Sequence, residues 1–246
     1  MARLRVLCLH GWRTNGKIMK LQTHGLRQTL EPHGAEFVYL DAPFLATGPA
    51  PEIVRTVFEK EAPFFQWWDA IKREPANVGK VSEEGSSDQK ERSVYNYKGL
   101  DHTLDFLMGQ IQMLGPIDVL LGFSQGAAAV TVLTAHHKKV YGGLPPWKVC
   151  VLVSGFVPRA VEAQHVMHDM FGNPYELDVP SIHVIGKADD MVKQSERLHD
   201  YYSGEDKGVQ KLKFVHEEGH KFPTPSRHRA LYTDIATALA EIVGSN

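Results

Sequence analysis

The passage from Ile117 to Leu133 constrains this chain more than any other. Ile117-Asp118-Val119-Leu120-Leu121 is a short, nearly continuous apolar run, the pattern of a strand covered on both faces. Gly122-Phe123-Ser124-Gln125-Gly126 follows. Ala127-Ala128-Ala129-Val130-Thr131-Val132-Leu133 is then small and apolar, as in a helix packed tightly on a sheet. The five-residue pattern alone is common. Between a buried strand and a tight helix it predicts a sharp turn with Ser124 strained and its hydroxyl pushed outward. The glycines two residues to either side leave room for that turn. Backbone N–H groups at the helix start then point at whatever sits beside Ser124, and the helix dipole favours negative charge there. A nucleophile needs this geometry.

The rest of the chain supplies a frame for such a turn. Strands are expected at about 3–9, 36–41, 117–122, 148–154, 180–186 and 211–216, and helices at about 17–30, 98–113, 125–138, 190–203 and 226–243. The alternation predicts an α/β fold, a mostly parallel central sheet with helices on both faces. The 246 residues, 43% of them hydrophobic, suffice for one such domain over 1–246. Gly115-Pro116 ends the helix before the serine strand. Thr224 is expected to cap the last helix, with Pro225 at its first position.

Two connections exceed ordinary strand–helix turns. The first, about 42–97, holds Phe44, Phe58, Phe64, Phe65, Trp67, Trp68, Tyr95 and Tyr97. Within it Lys80 to Arg92 is polar and charged and reads as a mobile surface loop. The second, about 155–179, carries Met167, Met170 and Phe171. Aromatic and methionine side chains of both connections are expected to pack the insertions on the sheet and, as a group, to offer an apolar pocket.

Serine is a weak nucleophile at neutral pH. It needs a base, and the base needs an orienting acid. In a parallel sheet these groups lie in loops after strand C-termini. Of the 13 histidines, His220 fits best: Glu217-Glu218-Gly219-His220-Lys221-Phe222-Pro223 joins the last strand to the last helix. For the acid, Gly186-Lys187-Ala188-Asp189-Asp190 ends the strand before. Asp189 is the first candidate and Asp190 the alternative, the other filling a helix-start role. An oxyanion needs two N–H donors, expected from the backbones of Gln125 and of Trp12, which follows Leu9-His10-Gly11.

These residues resemble the α/β-hydrolase superfamily and, more closely, the FSH-type family of small serine hydrolases found in fungi, plants and animals. The resemblance spans nearly the whole chain. It rests on Leu7-Cys8-Leu9-His10-Gly11, Asp41-Ala42-Pro43, Gly115-Pro116-Ile117-Asp118 leading into Gly122-Phe123-Ser124-Gln125-Gly126-Ala127, Ser154-Gly155-Phe156, Gly186-x-x-Asp189-x-x-Val192 and Gly219-His220-x-x-Pro223. It implies an α/β-hydrolase fold, a triad of Ser124, Asp189 and His220, and ester or thioester hydrolysis without a cofactor. One departure is Glu218, where a second glycine is common before the histidine; it raises a question about that loop's conformation.

The expected partner is a small acyl ester or thioester. An acyltransferase with the same triad, and a binding protein that retains a hydrolase site, are the alternatives. With 27 basic against 29 acidic residues and no long basic run, nothing favours nucleic acid. No apolar stretch reaches membrane-spanning length, and the apolar start before His10 is short for a signal peptide. Cys8 and Cys150, both in expected strands, read as buried free thiols, which points to a cytoplasmic protein, a nuclear pool included. No phosphate-binding or dinucleotide fingerprint is present. No metal is expected: His165-x-x-His168 and His136-His137 each offer at best a ligand pair. The oligomeric state is not legible.

Overall fold

The structure is a computed structural model that describes residues 4–72 and 95–244. The polar stretch Lys80 to Arg92 lies outside the described residues. Six strands form one sheet: β1 (Arg5–Leu9), β2 (Glu36–Leu40), β7 (Val119–Phe123), β8 (Val149–Val153), β9 (Ser181–Gly186) and β10 (Lys211–His216). All pairings are parallel, in the order β10-β9-β8-β7-β1-β2. Each of the six expected strands is present within a residue or two. Between β2 and β7 four short strands form two antiparallel pairs. β3 (Phe44–Leu45) pairs with β4 (Phe65–Gln66), and β5 (Asp69–Lys72) with β6 (Tyr95–Lys98).

Alternation along the central strands feeds two cores. Leu7 and Leu9 of β1, Leu120 of β7 and Cys150 and Leu152 of β8 point to one face. Val6, Cys8, Val119, Leu121, Val149 and Val151 point to the other. On the first face lie α4 (Leu100–Leu114) and α5 (Gln125–Tyr141). Leu100, Leu104, Leu107 and Ile111 of α4 recur at helical spacing and are buried. Trp67 and Trp68 complete this core. The second face is covered by α1 (Gly16–Gln22), α2 (His24–Leu30) and α8 (Arg229–Gly244). Three further α-helices, α3 (Glu52–Phe58), α6 (Val161–Met167) and α7 (Val192–Tyr201), complete the α-helices among the described residues, beside three single-turn 3-10 helices. Near-continuous apolar strands are thus explained by helices on both sides.

Two expectations need correction. The helix predicted over 17–30 is two helices broken at Thr23. The Thr23 hydroxyl donates to the Met19 carbonyl and meets the Tyr39 hydroxyl, 2.9 and 2.8 Å away, a local alternative to helix continuation. Gly25 then lets α2 press against α8, since a Cβ there would stand 2.4 Å from the Tyr232 ring. The last helix begins at Arg229, so Thr224 does not cap it and Pro225 is not its first residue. The Thr224 carbonyl instead accepts the N–H groups of Arg227 and His228 in a turn before the helix. Its hydroxyl is held by Glu218 at 2.7 Å.

The chain runs from β1 outward to β2, then returns across β1 to β7 and continues outward to β10. The junction of β1 and β7 is therefore the topological switch point, where a crevice opens beyond the strand C-termini.

Candidate active site

Ser124 stands at that junction, one residue past β7 and immediately before α5. Its backbone lies at φ 53° and ψ −115°, a conformation that costs a non-glycine residue about 1–3 kcal/mol. Both glycines of the turn are required by backbone contact. A Cβ on Gly122 would sit 2.4 Å from the Gly126 carbonyl oxygen. One on Gly126 would sit 2.1 Å from that of Leu9 and 2.6 Å from that of His10. The N–H of Ser124 donates to the Val153 carbonyl at 3.0 Å, tying the turn to β8. The side chain faces a cavity of about 680 Å³.

His220 and Asp189 arrive from two neighbouring loops. The loops after β9 and β10 are joined by Lys187 N–H to the His216 carbonyl and Ala188 N–H to the Glu218 carbonyl. A Cβ on Gly186 would stand 2.4 Å from the Glu218 carbonyl oxygen, so glycine permits this approach. Asp189 is buried. Its Oδ1 accepts the Met191 N–H, and its Oδ2 lies 2.8 Å from His220 Nδ1. His220 Nε2 is 2.9 Å from Ser124 Oγ. The structure thus brings Ser124, His220 and Asp189 into one hydrogen-bonded chain, while Asp190 is exposed. With Nδ1–H donating to the carboxylate, Nε2 is left to accept the serine proton. General-base activation of a hydroxyl needs this order.

Glu218 is what holds the His220 loop. Its carboxylate accepts the Thr224 N–H and hydroxyl, each at 2.7 Å, with Lys221, Arg227 and His228 at 3.6 to 3.8 Å. Partial burial raises its pKa, but the Thr224 bonds and the nearby cations outweigh that and bring it down to about 2. The acid that departs from the glycine of the resembling family is thus a brace across the loop. Nothing in a linear sequence pairs residue 218 with 224.

On the other side of Ser124, the loop after β1 is fixed by His10. The ring is buried, its Nε2 accepts the Ala42 N–H at 3.0 Å, and its Nδ1 lies 2.8 Å from the Gly11 carbonyl. Burial lowers its pKa to about 4, against the Gly11 bond and the field of Asp41, so the ring is neutral. Trp67 Nε1 donates to the His10 carbonyl at 2.8 Å. Trp12 follows and lines the cavity together with Ser124. Gln125 opens α5, where backbone N–H groups have no intrahelical acceptor. Its buried side chain accepts the Trp67 N–H and donates to the Trp68 carbonyl, a role the sequence did not signal.

The cavity walls are largely apolar. Leu21, Ile53, Val54, Val57, Phe58 and Met191 contribute to them. Of the aromatics expected from the first connection, only Phe58 is among the lining residues. Trp67, Trp68 and Tyr97 are buried in the core. Of the second connection, Met167 is core, and Met170 and Phe171 are exposed away from the cavity. The sequence did carry a weak signal for the missed wall: Glu52-Ile53-Val54-Arg55-Thr56-Val57-Phe58 is a short amphipathic segment.

Comparison with known proteins agrees with this architecture. A family described as "Serine hydrolase (FSH1)" matches residues 1–231. The chain is 31% identical to "Esterase OVCA2" of Danio rerio over 240 residues, covering 94% of this chain and 95% of that protein. It is 30% identical to "Esterase OVCA2" of Homo sapiens over 244 residues, 97% of each. Among solved structures, that of Arabidopsis thaliana SOBER1 superposes with a TM-score of 0.55 at 19% identity, covering 98% of this chain and 100% of that one; the likeness is one of fold.

Proposed function

The chain belongs to the FSH1 serine hydrolase family, and from that premise we propose that it hydrolyses small carboxylic esters or thioesters by a Ser124–His220–Asp189 triad. The observation that carries this reading is the relay of 2.9 and 2.8 Å hydrogen bonds from Ser124 through His220 to Asp189, opening into an apolar cavity. Ser124 Oγ attacks the acyl carbonyl as His220 Nε2 takes its proton. Asp189 holds the imidazole tautomer and steadies the imidazolium that forms. The backbone N–H groups of Trp12 and Gln125 receive the oxyanion. His220 then protonates the leaving group, and water repeats the sequence on the acyl-enzyme.

The acyl chain lies along Val54, Val57 and Phe58 in this reading. The cavity, about 680 Å³, falls in the range of sites that enclose small molecules. No helix among the described residues is long and apolar enough to cross a membrane. The two cysteines are free and buried, which suits the cytoplasmic location that forms part of the proposal. The relatives named esterases support ester cleavage as the activity.

The test is a fluorophosphonate probe followed by peptide mapping, beside a panel of p-nitrophenyl esters and acyl thioesters. The expected result is one adduct, on Ser124, that abolishes turnover of the panel. Labelling elsewhere, or folded protein that neither labels nor hydrolyses, contradicts the proposal.

A further inference from the structure

The catalytic cavity does not end at its apolar walls. Past His24 and Pro225, which line both spaces, it continues into a cleft of about 810 Å³ between α2 and α8. The hydrolytic reading gives this cleft no task. Its lining differs from that of the cavity, with Gln28, Ser226 and Arg229 contributing to it. Its floor is fixed. The Tyr232 ring lies against Gly25, and the Tyr232 hydroxyl donates to the Pro223 carbonyl at 2.6 Å.

Fixed charge along this path has one sign. Among the described residues no aspartate or glutamate lines either space, whereas Lys221 lines the cavity and Arg229 the cleft. Lys221 is already engaged, with Thr224 at 2.9 Å and Glu218 at 3.6 Å. Arg227, two residues before Arg229, faces Glu218 at 3.7 Å. Arg229 is exposed, and among the described residues no carboxylate pairs with it. It opens α8 with no acid in the first turn, so its cation stands against the helix dipole. An uncompensated cation in a cleft free of acids is complementary to an anion.

We propose, on the hydrolytic reading of Ser124, that this cleft binds a phosphate carried by the leaving group. The substrate is then an acyl ester or thioester of a phosphorylated alcohol or thiol. The acyl chain lies along Val54, Val57 and Phe58 in that reading, which leaves the passage past His24 and Pro225 to the other half of the substrate. A guanidinium keeps its charge and presents a planar fork of N–H donors that fits a phosphate. The hydroxyls of Thr29 and Thr233 already donate to the Gly25 and Arg229 carbonyls, at 3.1 and 3.2 Å. The side-chain donors left for an anion are those of Arg229, Gln28, Ser226 and His24. Water cleaves the acyl bond to give the carboxylic acid and the phosphorylated alcohol or thiol, whose oxygen or sulfur takes its proton from His220.

The experiment compares two pairs of substrates, each differing by one phosphate: butyryl-glycerol phosphate with butyryl-glycerol, and S-butyryl phosphopantetheine with S-butyryl pantetheine. The phosphorylated member of at least one pair is expected to have a kcat/KM roughly tenfold higher, the worth of a charged hydrogen-bonded pair. The pair that shows it identifies the leaving group as alcohol or thiol. Added salt narrows the gap. Arg229→Gln removes the preference through KM, and Arg229→Lys restores part of it. Lys193→Gln, on α7 and outside both linings, leaves it unchanged. Turnover of the neutral members tests the hydrolytic reading by itself. Calorimetry on Ser124→Ala tests the cleft without turnover, and tighter binding of the phosphorylated member is expected there. Equal kcat/KM within both pairs, an Arg229→Gln loss that falls equally on neutral and phosphorylated members, or a Ser124→Ala protein that binds both members alike overturns the proposal.

Discussion

Gly126→Ala puts the geometry of the serine turn to a demanding test. The added Cβ meets the backbone oxygens of Leu9 and His10 at 2.1 and 2.6 Å. Neither is a flexible side-chain tip, so the start of α5 and the end of β1 must separate by about 1 Å. Overpacking of this kind typically costs about 1–3 kcal/mol. For a chain of this size that is a fall in melting temperature of roughly 2–6 °C. The His10 carbonyl is also the acceptor for Trp67, so the shift is transmitted to the loop that carries the Trp12 N–H. Misplacing a reacting or stabilising group by about 1 Å costs on the order of 10²-fold in rate. Gly109→Ala, within α4 where a Cβ meets nothing within 4 Å, is the control. There alanine stabilises by about 0.4–1 kcal/mol. The assay pairs thermal melting with kcat on a p-nitrophenyl butyrate substrate. A Gly126→Ala protein that melts with the wild type and keeps kcat within about threefold would refute the reasoning.

Further outcomes follow from the same structure. Each CH₂ buried is worth about 0.8 kcal/mol, so kcat/KM should rise up to roughly fourfold per methylene along an ester series until the cavity is filled. Val57→Trp should shorten that series and spare butyrate; a flat series excludes the apolar wall as the acyl site. The Glu218 pKa is depressed from 4.5 to about 2, so its brace is fully present above about 4.5 and is lost as pH falls toward about 2. The melting-temperature gap between wild type and Glu218→Gln should therefore shrink over that window, and a constant gap counts against the brace. Burial holds His10 neutral down to about 4, so its ring ¹⁵N shifts should stay in the neutral form from pH 7 to 5. Titration near pH 6.5 would show that the ring is solvated.

The inner strands were legible because burial on both faces writes short apolar runs into β1, β7 and β8. The turn at Ser124 was legible for a related reason: only glycine fits at 122 and 126, where backbone meets backbone. The separate loops bearing Asp189 and His220 followed from the rule that parallel strands present chemistry at their C-termini. What escaped the sequence depends on contacts distant in the chain. The Thr23 hydroxyl meets Tyr39 and breaks a helix whose apolar pattern runs straight through it. Thr224 looks like a cap but is taken by Glu218. Of the aromatics expected to offer a pocket as a group, those at 67, 68 and 97 are buried in the sheet-facing core, whereas Phe58 lines the cavity beside Ile53, Val54 and Val57 of α3. Aromatic character reports the size of a buried surface, not whether that surface faces a cavity.

The most direct test of the central claim is the turnover of Ser124→Ala on the best ester of the panel. The substitution removes one oxygen at a site where the backbone, not the hydroxyl, makes the hydrogen bond to Val153, so the fold should hold. The account predicts an unchanged melting temperature and a loss of kcat of roughly 10⁴–10⁶-fold, by comparison with triad deletions. A folded Ser124→Ala protein whose kcat stays within about tenfold of the wild type contradicts it.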